Sequence, residues 1–332
     1  MQLLDGRTAA KTIQISLTQQ VQQLVARGKR TPHLAAILVG NDGASETYVN
    51  AKVKRCNSIG FKSTLYKLEE NITEDALLNL IIKLNKDNSV DGILVQLPLP
   101  KHISTQKIIA SIDERKDVDG FHPTNVGKMV QGVPSFISAT PYGIMLLLEH
   151  YNIDTKGKHA VVVGRSNIVG RPISILLSSD IPYGNCAVTL CHKYTDAVQL
   201  KKLCMQADIL VTAVGKPSLI KADMIKEGAI VIDVGITRVS DSTKQHGYSL
   251  KGDVDFENVA PKTSSITPVP RGVGPMTIAA LMMNTWKAFM NIEQGSRNDE
   301  LEVFELNIEQ GRRNNELEVS ELNIEQGTRT EE

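Results

Sequence analysis

Three short stretches hold residues whose types and spacing could do chemistry. In "YVNAK" (48–52), Tyr48 and Lys52 stand four apart in a stretch of helical spacing, so both side chains share one face. A lysine so placed can exchange a proton once burial or a neighbouring positive centre disfavours its charge; the same pattern also describes the solvated face of an amphipathic helix. Gln96, in "VQLPLP" (95–100), stands at the carboxyl end of an apolar run, where parallel sheets place their ligands. Its amide could hydrogen-bond Lys52 or a water without neutralising a charge, although polar side chains also populate ordinary loops. "KDVDGF" (116–121) puts Asp117 and Asp119 in a turn closed by Gly120. They read either as turn chemistry or as a carboxylate able to grip paired N–H donors.

A fourth stretch, "VVVGRSNIVGRP" (161–172), reads as a buried strand, a glycine turn and a helix. Gly164 and Gly170 give a GxxxxxG spacing, which is neither the GxGxxG fingerprint nor a P-loop, because Arg171 and Pro172 follow where Lys-Ser/Thr is required. A strand running into a helix still leaves backbone N–H groups and a positive helix end above the sheet, a setting for a pyrophosphate. The next strand chooses the dinucleotide. An NAD site presents Asp or Glu at its end to take the ribose 2′-hydroxyl, whereas residues 182–194 contain no acid. "AVTLC" (187–191) runs instead into His192 and Lys193, with Arg165 and Ser166 in the turn. Cations and a hydroxyl there predict NADP, whose 2′-phosphate they could bind; taken singly they are equally ordinary surface charges.

These residues need a scaffold, and the apolar pattern supplies alternating strands and helices. "LAAILVG" (34–40) and "DGILVQLPLP" (91–100) are strand-like runs, and "FKSTLYKL" (61–68) alternates. "SETYVNAKVKRCNSIG" (45–60) and "TEDALLNLIIKLN" (73–85) have helical spacing, the latter opening on a threonine cap and an acidic first turn. A helix over 140–151 leads to a second series, with strands over 159–164, 186–191, 208–214 and 229–235 and helices over 169–179, 195–206 and 275–290. The expected fold class is α/β: two α/β domains with mainly parallel sheets, the second Rossmann-like, flanking a cleft. Residues 1–140, completed by the helix 275–290, form the first domain and residues 141–270 the second.

Composition narrows the function classes. With 332 residues and 41% hydrophobic side chains, the chain can bury two cores. No run approaches the length of a membrane span, and Asp5 and Arg7 interrupt the N-terminus before a signal-peptide core could form. A cytoplasmic protein without membrane association is expected. Cys56, Cys186, Cys191 and Cys204 lack the spacing of a zinc site or a disulfide scaffold, so they read as reduced core thiols and no metal is expected. The zero net charge conceals an asymmetry: residues 291–332 carry 12 acidic and 4 basic side chains, leaving 25 acidic and 33 basic before them. That basic body suits an anionic small molecule; without clustered Lys/Arg and interleaved aromatics, nucleic acid is not expected. The acidic tail repeats "NIEQG" at a 16-residue period (290–305, 306–321, 322–332) and is too polar to bury a core of its own, which predicts disorder or loose helix.

With "ITPVPRGVGPMT" (266–277) added, the motifs stand in an order and spacing that resemble the bifunctional methylenetetrahydrofolate dehydrogenase/methenyltetrahydrofolate cyclohydrolase (FolD) family over about residues 1–290. The tail lies outside the resemblance. The resemblance implies oxidation of 5,10-methylenetetrahydrofolate by NADP⁺ to the methenyl form, then hydrolysis to 10-formyltetrahydrofolate, both in one cleft of a homodimer. It implies that Tyr48 stacks on the pterin, that Lys52 assists water attack and proton transfer beside Gln96, and that Asp119 holds the pterin edge, with Pro270, Gly272 and Gly274 lining the substrate. For the cofactor it implies Gly164, Arg165, Ser166, Ile168, Gly170, His192, Lys193, Gly215 and Ile236. Removing hydride from an aminal carbon needs no protein acid or base, only placement, which agrees with the lack of a proton relay in the cofactor domain. Arg271 stands where the family has glycine. It either strains its loop by about 1 kcal/mol or more or reaches toward the glutamate tail of a polyglutamylated folate. A dehydrogenase lacking the hydrolytic step, and a non-catalytic dinucleotide-binding module acting through the tail, are the rival readings; Lys52 weighs against the first.

Overall fold

A computed structural model describes residues 1–244 and 247–293. The acidic repeat therefore lies outside the described residues. In chain order the elements are β1 (Gln2–Leu3), α1 (Gly6–Ala26), β2 (His33–Val39), α2 (Gly43–Ser58), β3 (Lys62–Leu68), α3 (Glu74–Lys86), β4 (Gly92–Val95), α4 (Thr105–Ser111), α5 (Pro123–Val130) and α6 (Ala139–His150). They continue as β5 (His159–Val163), α7 (Gly170–Ser178), β6 (Ala187–Cys191), α8 (Ala197–Cys204), β7 (Ile209–Thr212), β8 (Ile230–Asp233), β9 (Thr237–Ser240), β10 (Tyr248–Lys251), α9 (Phe256–Val259), β11 (Ser265–Ile266) and α10 (Val273–Glu293).

Two parallel sheets organise the compact unit Met1–Phe289. The first has the order β3-β2-β4 and the second β1-β11-β8-β7-β5-β6; β9 and β10 pair as an antiparallel hairpin. β2 is buried at every position, the pattern of a parallel strand covered on both faces. In β5 the alternation sorts the two sides: Ala160 and Val162 join the core that includes Ile144 and Ile173, while Val161 and Val163 join the one with Leu210 and Val231. α3 starts where its sequence signals, with the Thr73 hydroxyl accepting from the Ala76 N–H at 3.2 Å and Glu74 and Asp75 in the first turn.

The chain crosses between the halves at both ends. Gln2 and Leu3 pair with β11, so the first residues belong to the second sheet. α10 returns to the first half: Met282 Sδ lies 3.3 Å from Cys56 Sγ, and Asn284 Nδ2 donates to the carbonyls of Val118 and Ile137 at 2.9 Å each. α6 and α10 approach to backbone contact at Gly143, where a Cβ would meet the Met276 carbonyl carbon at 2.7 Å. All four cysteines are free and buried, and burial pushes the thiols of Cys56 and Cys204 up to about 12, so they stay protonated and inert. No helix of the described residues is long and apolar enough to cross a membrane.

Candidate active site

The "YVNAK" helix and the end of β4 meet. α2 is started by Asp42, whose carboxylate accepts from the Ser45 N–H at 2.8 Å, and it carries Tyr48 and Lys52 one turn apart. Lys52 is only 8% exposed, whereas Tyr48 is 43% exposed. The Gln96 N–H is anchored on the Ile37 carbonyl (2.9 Å), and its side-chain Nε2 donates to the Leu97 carbonyl at 2.7 Å. That second bond fixes which way the amide faces, leaving Oε1 to accept from Lys52 Nζ at 3.2 Å.

The two aspartates divide their work. Asp117 is consumed by the turn: its carboxylate accepts from the N–H groups of Phe121 (3.1 Å) and His122 (2.8 Å) and from Asn125 Nδ2 (2.9 Å), while burial pushes it up to about 6. Asp119 is also buried, yet no side chain or N–H of the described residues donates to its carboxylate. Burial raises its proton affinity and the nearby Lys52 charge opposes the rise. Its oxygens are not sealed from solvent, so they stay open to the N–H donors of a ligand.

On the cofactor side, the spacing of the two glycines has a steric origin. Gly164 adopts φ +121°, and a Cβ on Gly170 would strike the Gly164 carbonyl, so strand end and helix start touch through backbone alone. The turn differs from expectation in one respect. Ser166 already uses the first N–H groups of α7: its Oγ accepts from Val169 (3.1 Å) and Gly170 (3.3 Å), and its carbonyl accepts from Arg171 (3.0 Å). The amides of residues 165–168 are the ones left without an internal acceptor among the described residues, and they form the cradle that fits a pyrophosphate.

The remaining cofactor-side positions are held by a pair of buried carboxylates that sequence reasoning missed. Asp253 accepts from Val214 N–H (2.7 Å), Gly215 N–H (3.2 Å), Lys216 N–H (2.7 Å) and Thr212 Oγ1 (3.2 Å). The Gly215 amide is thus unavailable to a ligand, and its carbonyl accepts from Thr237 Oγ1 at 3.3 Å. Asp233 accepts from the N–H groups of Gly235, Asp253 and Val254, while burial, with Asp253 adding to it, pushes its carboxyl up to about 7. The loop of Ile236 is thereby set beside the start of α10, where a Cβ on Gly274 would lie 3.6 Å from Ile236 Cδ1. The clue was "GDVD" (252–255), but two acids 20 residues apart have no periodicity to connect them.

Comparison with known proteins now decides the family. A tetrahydrofolate dehydrogenase/cyclohydrolase catalytic-domain family matches residues 4–119, and the NAD(P)-binding domain of the same family matches residues 138–293. The chain belongs to that family. A bifunctional protein FolD of Cytophaga hutchinsonii is 57% identical over 288 residues, 87% of this chain and 99% of the relative. The crystal structure of FolD from Campylobacter jejuni superposes with TM-score 0.82 at 49% identity, covering 88% of this chain and 99% of that one. The Trypanosoma brucei FolD, solved with NADP cofactor and inhibitor, gives TM-score 0.83 at 38% identity, covering 87% and 97%.

The arginine of the "PRGVGPMT" loop (270–277) has a visible consequence for the backbone. Arg271 is exposed and holds φ +91°, a conformation natural to glycine. Its neighbour Gly272 cannot change, since a Cβ there would lie 2.6 Å from the Pro268 carbonyl oxygen. Arg271→Gly is accordingly expected to stabilise the protein by about 1 kcal/mol, read as a higher denaturant midpoint with unchanged slope; a lower midpoint would mean that the arginine is held by contacts outweighing the strain.

The structure brings Lys52, Gln96, Asp119 and Tyr48 to one place and gathers Gly164–Gly170, Gly215 and Ile236 at the carboxyl ends of β5, β7 and β8. Pro270, Gly272 and Gly274 follow at the entry to α10. Between the groups lies Arg238 on β9, also missed from sequence. Its guanidinium sits 4.9 Å from the Tyr248 ring centroid and 3.5 Å from Thr47 Oγ1, and its charge opposes the upward push that burial gives the Tyr48 hydroxyl. Ile168 faces the junction as well, its carbonyl accepting from Ser138 Oγ at 2.7 Å.

Proposed function

We propose that Lys52, Gln96, Tyr48 and Asp119 bind tetrahydrofolate derivatives and carry out hydrolysis, and that the residues around Gly164 hold NADP against them. The chain is an NADP-linked methylenetetrahydrofolate dehydrogenase and methenyltetrahydrofolate cyclohydrolase of one-carbon metabolism. The observation that carries the site assignment is the buried Lys52 donating to the half-buried Gln96, beside an aspartate with no internal donor among the described residues.

Bound NADP⁺ supplies the hydride acceptor. For that step the chain has only to place and dehydrate the substrate, because the methylene carbon loses hydride and becomes cationic without any proton transfer. The cation then takes water at the same carbon. The Lys52 amine accepts the water's proton. Gln96 keeps the amine oriented while remaining neutral, so the pair does not lock Lys52 into a salt bridge. Cleavage of the bond to N5, with N5 taking up a proton, leaves the formyl group on N10. Asp119 accepts from the N–H donors of the pterin edge.

Arg271, exposed at the mouth of α10, provides a cation for the glutamate tail of a polyglutamylated substrate. A homodimer fits the edge strand β6, which ends the second sheet with Leu190 exposed, and the cytoplasm is its proposed compartment. Asp119→Asn, which keeps the volume but presents a donor to donors, is expected to raise KM for 5,10-methylenetetrahydrofolate by roughly ten- to a hundredfold, with NADP⁺ binding unchanged. An unaltered KM would reduce Asp119 to a turn residue.

A further inference from the structure

Tyr194 is the most exposed aromatic residue of the described chain, at 73%, yet its surroundings are ordered. It follows directly on His192 and Lys193 beyond β6. Its N–H donates to His192 Nδ1 at 3.3 Å, and the two rings meet edge to face with centroids 6.1 Å apart. The segment beneath is pinned twice, by His192 N–H on Thr195 Oγ1 (3.0 Å) and by Thr195 N–H on the His192 carbonyl (2.8 Å).

Two cations share the Tyr194 ring. Lys193 Nζ stands 4.9 Å from its centroid and Arg165 Cζ 5.6 Å, both within reach of the ring's electrostatic attraction. Arg165 comes from the turn after β5 and Lys193 from just past β6; the parallel pairing of Val163 with Cys191 brings the two segments side by side, and the ring lies between their like charges. Neither cation has a carboxylate partner among the described residues. Like charges held close are favourable only if something negative is shared; in the free protein the ring face supplies part of that, and a phosphate would supply the rest.

We propose that Tyr194 determines cofactor specificity, its ring holding Arg165 and Lys193 ready as a two-cation clamp for the 2′-phosphate of NADP⁺. This rests on the reading of residues 164–193 as the dinucleotide site. Ring and cations cooperate without the tyrosine hydroxyl, so an aromatic face is what the position requires. The competing use of an exposed ring at this place, stacking on adenine, would benefit NAD⁺ and NADP⁺ alike. The clamp benefits NADP⁺ alone.

The test is calorimetric binding of 2′,5′-ADP and 5′-AMP to the full chain, with Tyr194→Leu, Tyr194→Phe and the double variant Arg165→Ala/Lys193→Ala. Tyr194→Leu is expected to weaken 2′,5′-ADP by roughly five- to tenfold and leave 5′-AMP unchanged, while Tyr194→Phe behaves as wild type. The double variant should bind both ligands with similar affinity. If the double variant keeps its preference for 2′,5′-ADP, the dinucleotide-site reading itself fails. If it loses that preference while Tyr194→Leu retains it, or if Tyr194→Leu weakens both ligands equally, the clamp role of Tyr194 is overturned and the site reading stands.

Discussion

Lys52→Met is expected to cut formation of 10-formyltetrahydrofolate by about 100-fold or more, the scale of losing a positioned proton acceptor, while methenyl formation stays within roughly tenfold of wild type. Methionine keeps the unbranched bulk of a residue that is only 8% exposed and removes just the amine that donates to Gln96 Oε1. Gln96 is half-buried, so water can replace the lost donor and the fold has little reason to suffer. The oxidative step needs no proton transfer, hence the asymmetry. Following methenyl and 10-formyl products in one reaction separates the outcomes: a parallel fall of both would make Lys52 a folate-binding group and not the proton acceptor.

The second large effect is expected far from the reacting carbon. Asp253→Ala leaves three backbone N–H groups, those of Val214, Gly215 and Lys216, in a part-buried loop, and the buried Thr212 hydroxyl, without their acceptor. Each such loss costs on the order of 1 kcal/mol or more, so a destabilisation of about 3 kcal/mol or greater follows. One effect opposes it: Asp253 adds to the upward push on Asp233, and its removal relieves that repulsion. A single relieved repulsion is outweighed by four orphaned donors. The denaturant midpoint should therefore drop well below wild type, and KM for NADP⁺ should rise as the loop around Gly215 loosens. A wild-type midpoint would mean that water satisfies these groups and that the carboxylate organises nothing.

Much of this architecture was legible in local pattern. The covered strands β2, β4, β5 and β7 announced themselves as apolar runs, α3 by its Thr73 cap, and the Gly164 turn by its place between strand and helix. The pairing of Gln96 with Lys52 was also within reach, because one stands at the end of β4 and the other on α2, the helix that follows β2, the strand β4 pairs with. What escaped has a common physical cause: it depends on contacts distant in sequence or on elements too short to show a period. β1 and β11 are two residues each, too short to show a period, and join the sheet through pairing with each other and of β11 with β8. The hairpin of β9 and β10, which carries Arg238 toward α2, has four-residue strands of half-buried and exposed residues, too short and too polar to announce themselves. Asp233 and Asp253 meet across a 20-residue gap. Arg271 could be marked as an oddity from the motif alone, but only the backbone reveals that it occupies a left-handed conformation.

The most direct test of the account is to incubate the purified wild-type chain with 5,10-methylenetetrahydrofolate and NADP⁺, and in parallel with NAD⁺, while following methenyl, reduced cofactor and 10-formyl product together. The account predicts that NADP⁺ supports all three signals, with 10-formyltetrahydrofolate accumulating behind the methenyl form, and that NAD⁺ supports them far less. Binding of NADP⁺ with the folate left untouched would contradict it.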